Sequence, residues 1–132
     1  KGARRVLNFG HTVAHALEAA GGFGHLLHGE AVAIGMVAAA ELGASLGHSP
    51  PSLPDRLRSL LNSLGLPFAA PPMALSVVRR AMERDKKLVE KGIAWVLLES
   101  VCQPRQLVLP LAELDETLEV LVSAGVLVGR GE

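Results

Sequence analysis

Three histidines carry the densest chemistry in this chain. His11 and His15 stand four residues apart, and His28 follows a glycine-rich break. Residues four apart on a helix share a face, so the first two imidazoles point the same way. Neutral imidazole is the commonest nitrogen ligand for zinc and suits other borderline metals. Spacing alone therefore offers His11 and His15 as a metal pair with His28 third. It offers a plainer alternative as well: a histidine face hydrogen-bonded to backbone or to Glu18. His25 reads as a solvated loop residue, and His48 as a partly exposed residue beyond a helix end.

The elements that must position these groups can be read from the same sequence. Asn8 is a suitable N-cap for a first helix, which Gly21-Gly22 would end. Phe23 to Leu27 reads as a short loop. A second helix is predicted from about Gly29 to Leu46, apolar almost all round, as buried central helices are. Its first turn, with His28 and Glu30, would then lie inside the molecule. Gly35 and the alanines would let neighbouring helices come close, and Gly29 would let a ligand approach.

Ser49-Pro50-Pro51-Ser52 breaks the chain. Leu53 to Leu64 reads as a short amphipathic helix with Leu57, Leu60, Leu61 and Leu64 on one face. Gly65-Leu66-Pro67 closes it. Pro71-Pro72 opens a helix from Ala74 to about Lys87, with Val77, Val78, Ala81 and Met82 inward. The period then changes. Ile93 to Leu98 and Gln106 to Leu109 are β-rich runs joined by Cys102-Gln103-Pro104-Arg105, which predicts a two-stranded ribbon. Leu111 to Ser123 reads as a last helix opened by Pro110, and Val126 to Glu132 as a tail. The fold class is mainly α: a multi-helix bundle with a short β-ribbon near its C-terminus.

Composition narrows the function. At 132 residues the chain suits one domain with a real core. Aromatics are only 3%, so Ala, Leu and Val must build that core, which favours packed helices over a β-sandwich. The formal net charge is zero, so no overall basic field points to nucleic acid. Arg79 to Lys91 holds six basic residues against three acidic ones, which by itself reads as a solvated helix face. The single Cys102 cannot form an internal disulfide, which fits a reducing, cytoplasmic compartment. No apolar run approaches the roughly 18 to 20 residues of a membrane span. The start, Lys-Gly-Ala-Arg-Arg, has no initiator Met and no signal-peptide layout, and predicts the later domain of a longer protein.

The motifs taken together go further. Asn8-Phe9-Gly10-His11-Thr12-x2-His15-Ala16-x-Glu18, then His28-Gly29-Glu30-Ala31-Val32-Ala33-x-Gly35-Met36, then Asp85-Lys86-Lys87, resembles the 3-dehydroquinate synthase family. The resemblance runs from Arg4 to about Leu98 and corresponds to that family's C-terminal helical domain, the second domain of an α/β-plus-α enzyme. Iron-type alcohol and glycerol dehydrogenases share a His-x3-His followed by His-Gly. They generally lack the Asn-x-Gly-His-Thr lead-in, the Gly-Glu-Ala-Val-Ala run and the Asp-Lys-Lys.

The resemblance changes the assignment of the histidines. It implies that His11 and His28 are the metal ligands, with a glutamate from outside this segment completing the set. His15 becomes the catalytic group, facing substrate and handling protons. Arg4 and Asn8 are implied to contact the carboxylate and phosphate end of the substrate, and Lys86 or Lys87 its phosphate. An arginine fork fits either anion well. Two positions depart from the family pattern. Ala14 stands where glycine is usual, and Glu99 to Gln103 replaces a glycine-bearing turn.

The implied reaction converts 3-deoxy-D-arabino-heptulosonate 7-phosphate to 3-dehydroquinate and phosphate, in the shikimate route to aromatic amino acids. Its cofactors are zinc (or cobalt) and NAD. An alcohol is oxidised, phosphate is eliminated and the ketone is reduced before the ring closes. The class is a carbon–oxygen lyase, active only together with an NAD-binding domain that precedes this segment. Gly21-Gly22-Phe23-Gly24 follows a helix and not a strand, so it is no nucleotide loop. Expected partners are the phosphorylated sugar acid and the dinucleotide domain of the same protein, with a tendency to homodimers. The relatives within the family are other sugar phosphate cyclases, which make inosose or valiolone-type rings. Arg4 favours a carboxylate-bearing substrate over theirs.

Overall fold

A computed structural model describes residues 11–21, 27–85, 93–100 and 103–129. In chain order these form α1 (His11–Gly21), α2 (His28–Ser45), α3 (Leu53–Ser63), α4 (Leu75–Asp85), β1 (Ile93–Ser100), β2 (Gln103–Leu109), a 3-10 turn (Leu111–Glu113) and α5 (Leu114–Ser123). The mainly α class with one ribbon is what the periodicity predicts.

The centre is α2, which touches α1, α3, α5 and β1, while α4 packs on α1 and β2 on β1. Ten of its 18 residues are buried, five of them alanines, so it has no solvent face to speak of. The small side chains let neighbours close in, and Ile34, Val37 and Leu42 fill the gaps between them. One close approach falls at Gly43 and not only among the alanines. Its carbonyl accepts from His48 N at 2.9 Å and Ser49 N at 3.1 Å, and a Cβ there would collide with the Ser49 side chain. The turn after α2 can fold back this tightly only over glycine.

On α1, Val13, Ala14, Ala16 and Leu17 are buried while His15 is exposed. The extra methyl of Ala14 thus sits in the core, against the packed face and away from the histidine side. On α4, Val78, Ala81 and Met82 are buried and Val77 is partly so, as expected. The predicted end of this helix at Lys87 lies outside the described residues, as does Asn8 with its predicted cap.

Three expectations need correction. In α3 only Leu61, with Leu53 and Pro54, is buried; Leu57 is half-buried, and Leu60 and Leu64 are exposed by 54% and 63%. Leu60 lies about 100° around the axis from Leu61, so the leucines wrap over more surface than α2 can cover. The second correction concerns the ribbon, which starts at Gln103 and not at Gln106, with Leu98 opposite Pro104. Both strands of a two-stranded sheet are edges, so the missing N–H of Pro104 costs no interior ladder bond. The register is irregular between Leu98 and Ser100.

The third correction is the tail. Gly125, at φ 77°, ends α5 and turns the chain inward. Val126 and Leu127 are then buried, at 0% and 1% exposure. Val126 O accepts from Ala70 N at 2.8 Å and Val128 O from Met73 N at 3.0 Å, and Gly129 bridges Met73 in parallel. This segment closes the core beneath the 70–73 crossing.

Two arginines tie the outer helices together. Arg79 Nε donates to Asp115 Oδ1 and its Nη1 to Glu83 Oε2, both at 2.8 Å, joining α4 to α5. The hydrogen bond to Asp115, foremost, raises the guanidinium above its ordinary pKa. A raised base loses its contribution only at still higher pH, so this link is indifferent to pH in the working range. Arg58 on α3 pairs with Glu41 on α2 at 2.6 Å and also donates to Ala124 O at 3.2 Å, where α5 ends. It is only 22% exposed and Glu41 21%, so the pair is partly withdrawn from water. Arg58→Met is expected to cost about 1–3 kcal/mol in urea unfolding, because it strands the Glu41 carboxylate and a carbonyl together. Both contacts come from one nitrogen, Nη2, so Arg58→Lys, whose ammonium carries three donors, should recover part of this.

Candidate metal centre

The site residues are set by how α1 and α2 meet. The two helices pack against each other. Glu18 lies near the end of α1, and His28 is the first residue of α2. The packing brings Glu18 Oε2 to 3.0 Å from His28 Nδ1. This contact spans ten residues and two elements, so it belongs to the tertiary fold and not to helical spacing. An ionised carboxylate only accepts hydrogen bonds. Nδ1 must therefore carry the proton, and in the neutral ring the lone pair sits on Nε2.

The start of α2 is itself pinned. Glu30 Oε1 accepts from Leu27 N at 3.0 Å, and Ala31 N donates to Leu27 O at 3.0 Å. The carboxylate thus satisfies one of the donors that every helix start leaves without a partner in the helix. The Glu of His-Gly-Glu has this structural task, and it fixes the backbone from which His28 projects. Among the described residues nothing lies within 4 Å of a Cβ placed on Gly29, so the backbone beside His28 is open to approach.

His28 does not lie inside the molecule as its helix's burial predicts. Its side chain is 62% exposed. The apolar stretch of α2 begins only at Ala31, so the first turn projects beyond the core it leads into. His15 is likewise exposed, on the face of α1 opposite the buried Val13-Ala14-Ala16-Leu17 side. His11 opens α1, one turn before His15, with its side chain outside the described set. Arg4, Asn8, Lys86, Lys87 and His25 also lie outside it. His48 sits past the end of α2, where its N–H donates to Gly43 O.

Among the described residues no three of His, Cys, Asp or Glu converge on a cation position. What they do supply is one imidazole whose Nδ1 is engaged by a carboxylate, the usual state of a histidine that binds metal through Nε2. That donor chemistry fits a divalent metal of the borderline class. Glu18 pairs with His28 across two elements, where the sequence offers it only as an alternative hydrogen-bond partner for His11 and His15 within α1.

A family model described as 3-dehydroquinate synthase C-terminal matches residues 1–88. The chain belongs to this family. The 3-dehydroquinate synthase of Lactiplantibacillus plantarum is 45% identical over 104 residues, 79% of this chain and 29% of that protein. The synthase of Geobacter metallireducens is 49% identical over 96 residues, 73% of this chain and 27% of that protein. The chain thus spans less than a third of the length of these curated relatives. Solved structures share the fold. A crystal structure of 2-deoxy-scyllo-inosose synthase complexed with carbaglucose-6-phosphate, NAD+ and Co2+ matches 95% of this chain and 36% of its own, with a TM-score of 0.73 at 24% identity. The 2-epi-5-epi-valiolone synthase of Streptomyces hygroscopicus subsp. jinggangensis, with NAD+ and Zn2+ bound, matches 90% of this chain and 33% of its own, with a TM-score of 0.73 at 23% identity. Within the 3-dehydroquinate synthase C-terminal family, the Glu18–His28 pair falls inside the matched residues, and the buried end of the chain after α5 falls beyond them.

Proposed function

We propose that this chain is the helical, metal- and substrate-binding domain of a 3-dehydroquinate synthase, spanning all 132 residues. The whole protein would convert 3-deoxy-D-arabino-heptulosonate 7-phosphate to 3-dehydroquinate and phosphate. The observation that carries this reading is the family match over the stretch holding all three histidines, together with the curated relatives at 45% and 49% identity.

In this reading His11 and His28 would hold the metal, zinc or cobalt, with a glutamate from elsewhere in the protein. Availability favours zinc. The metal would polarise the substrate hydroxyl that loses hydride, and NAD would accept that hydride. NAD is held by residues outside this segment, in line with the small share of the relatives that it covers. His15, exposed one turn from His11, moves a proton at the reacting hydroxyls. Arg4 and Asn8 bind the carboxylate and phosphate end, and Lys86 or Lys87 binds the phosphate. A cytoplasmic location is part of this reading; no helix among the described residues is long and apolar enough to cross a membrane. A homodimer is the expected assembly.

The test is phosphate release by the full-length protein. Release from the heptulosonate phosphate that requires NAD, and is lost on removing the metal with a chelator, is the expected result. Release instead from a sugar phosphate without a carboxylate would reassign the protein to the inosose or valiolone type of cyclase. No release from either substrate class would sink the enzymatic reading.

A further inference from the structure

We propose that Glu18 is the positioning residue of the metal centre, holding His28 by its Nδ1–H so that Nε2 is presented to the cation. This rests on the reading of His28 as a ligand, and it concerns a residue to which that reading gives no role. The geometry is the 3.0 Å contact from Glu18 Oε2 to His28 Nδ1. Both backbones that make it are fixed. Leu17, beside Glu18, has no exposed surface, nor has Ala31, one turn beyond His28's own start. Glu30 locks the first turn of α2 through Leu27 N. The two side chains thus meet between elements that cannot slide, unlike an ordinary pair of flexible surface groups.

Stability does not account for the pair. The imidazole is 62% exposed and the carboxylate 36%, and exposed ion pairs contribute little to folding. What a carboxylate on Nδ1 does contribute is chemical. It selects the Nε2 tautomer, restricts rotation of the ring, and increases the basicity of the donating nitrogen. Each effect favours the bound cation. Removing such a partner from a metal-binding histidine typically weakens the metal by about 10- to 100-fold.

The experiment uses the full-length protein stripped of metal, with Co2+ as the probe. Affinity is measured by competition with a chelator, and ligand geometry by the visible absorption of the bound ion. Glu18→Ala is expected to weaken Co2+ by about 10- to 100-fold, with the absorption retained at saturation. Glu18→Gln keeps a neutral acceptor on Nδ1 and should fall between Glu18→Ala and the unaltered protein. In the metal-free protein, nitrogen-15 spectra of the imidazoles should show His28 leaving the single Nδ1–H form in Glu18→Ala, while thermal unfolding stays unchanged. Unaltered Co2+ affinity in Glu18→Ala would overturn the inference while leaving the function in place. A change in the absorption at saturation in that variant would also overturn it, by making Glu18 a ligand in its own right. If the unaltered protein binds no Co2+, the inference and the reading beneath it both fall.

Discussion

His28→Ala in the full-length protein is expected to release the metal and to lower kcat/KM by on the order of 10³-fold or more. The size follows from what the cation supplies. Lewis-acid stabilisation of a developing oxyanion is worth several kcal/mol, and about 1.4 kcal/mol is tenfold in rate. Folding should be nearly untouched. His28 is exposed, and the helix start is held by Glu30 and not by the imidazole. Exposed substitutions of this kind stay within about 0.5 kcal/mol. His48→Ala, past the far end of α2, is the matching control, with metal and activity both retained. His15→Ala separates the two assignments that spacing and resemblance make. If His15 is the proton group, metal content holds while kcat falls by roughly 10²- to 10⁴-fold. Metal loss in His15→Ala with metal retained in His28→Ala would instead restore the helical pair His11 and His15 as the ligands.

The parts of this domain that were legible in its sequence are those where one physical rule acts alone. A run that is apolar on every side has nowhere to go but the centre, so α2 and its role were readable from Ala31 to Leu42. The buried faces of α1 and α4 follow from period. Where two rules compete, the reading went astray. Cys102 to Arg105 reads as a connection, whereas Pro104 lies in β2, because the edge status of both strands is a property of the finished sheet. Val126 to Val128 read as a tail because the hydrogen-bond partners of Val126 and Val128, Ala70 and Met73, lie more than fifty residues earlier. The site was half legible for a similar reason. Residue types and spacing singled out the three histidines. The contact that orients one of them depends on the angle at which two helices meet, and no single-chain periodicity encodes that. Glu18 and His28 become neighbours only once α1 and α2 have packed against each other.

Trp95 is where the remaining stability of this arrangement is concentrated. It is the only tryptophan in the sequence, 1% exposed, and the largest fully buried side chain described. A two-stranded ribbon has too little surface to hold itself together in water. β1 therefore persists because its inward residues, Trp95 and Leu97, bury themselves in the core around α2. Trp95→Ala is expected to cost about 3–5 kcal/mol, the transfer of the indole plus the cavity it leaves. Against a typical domain stability of about 5–15 kcal/mol, that is a large share. Trp95→Phe, which keeps an aromatic volume, should cost about half as much. The place to see it is amide hydrogen exchange in the full-length protein. Residues 31–42 of α2 should lose protection by roughly 10²- to 10³-fold as the opening free energy falls. His28 would then sit on a helix that opens more often, so Co2+ affinity should fall in parallel, though no residue of the metal site has been touched. Protection in α2 that stays within about tenfold of the unaltered protein would mean that the helices hold the core without the ribbon. The ribbon would then be an appendage of α2 instead of its brace.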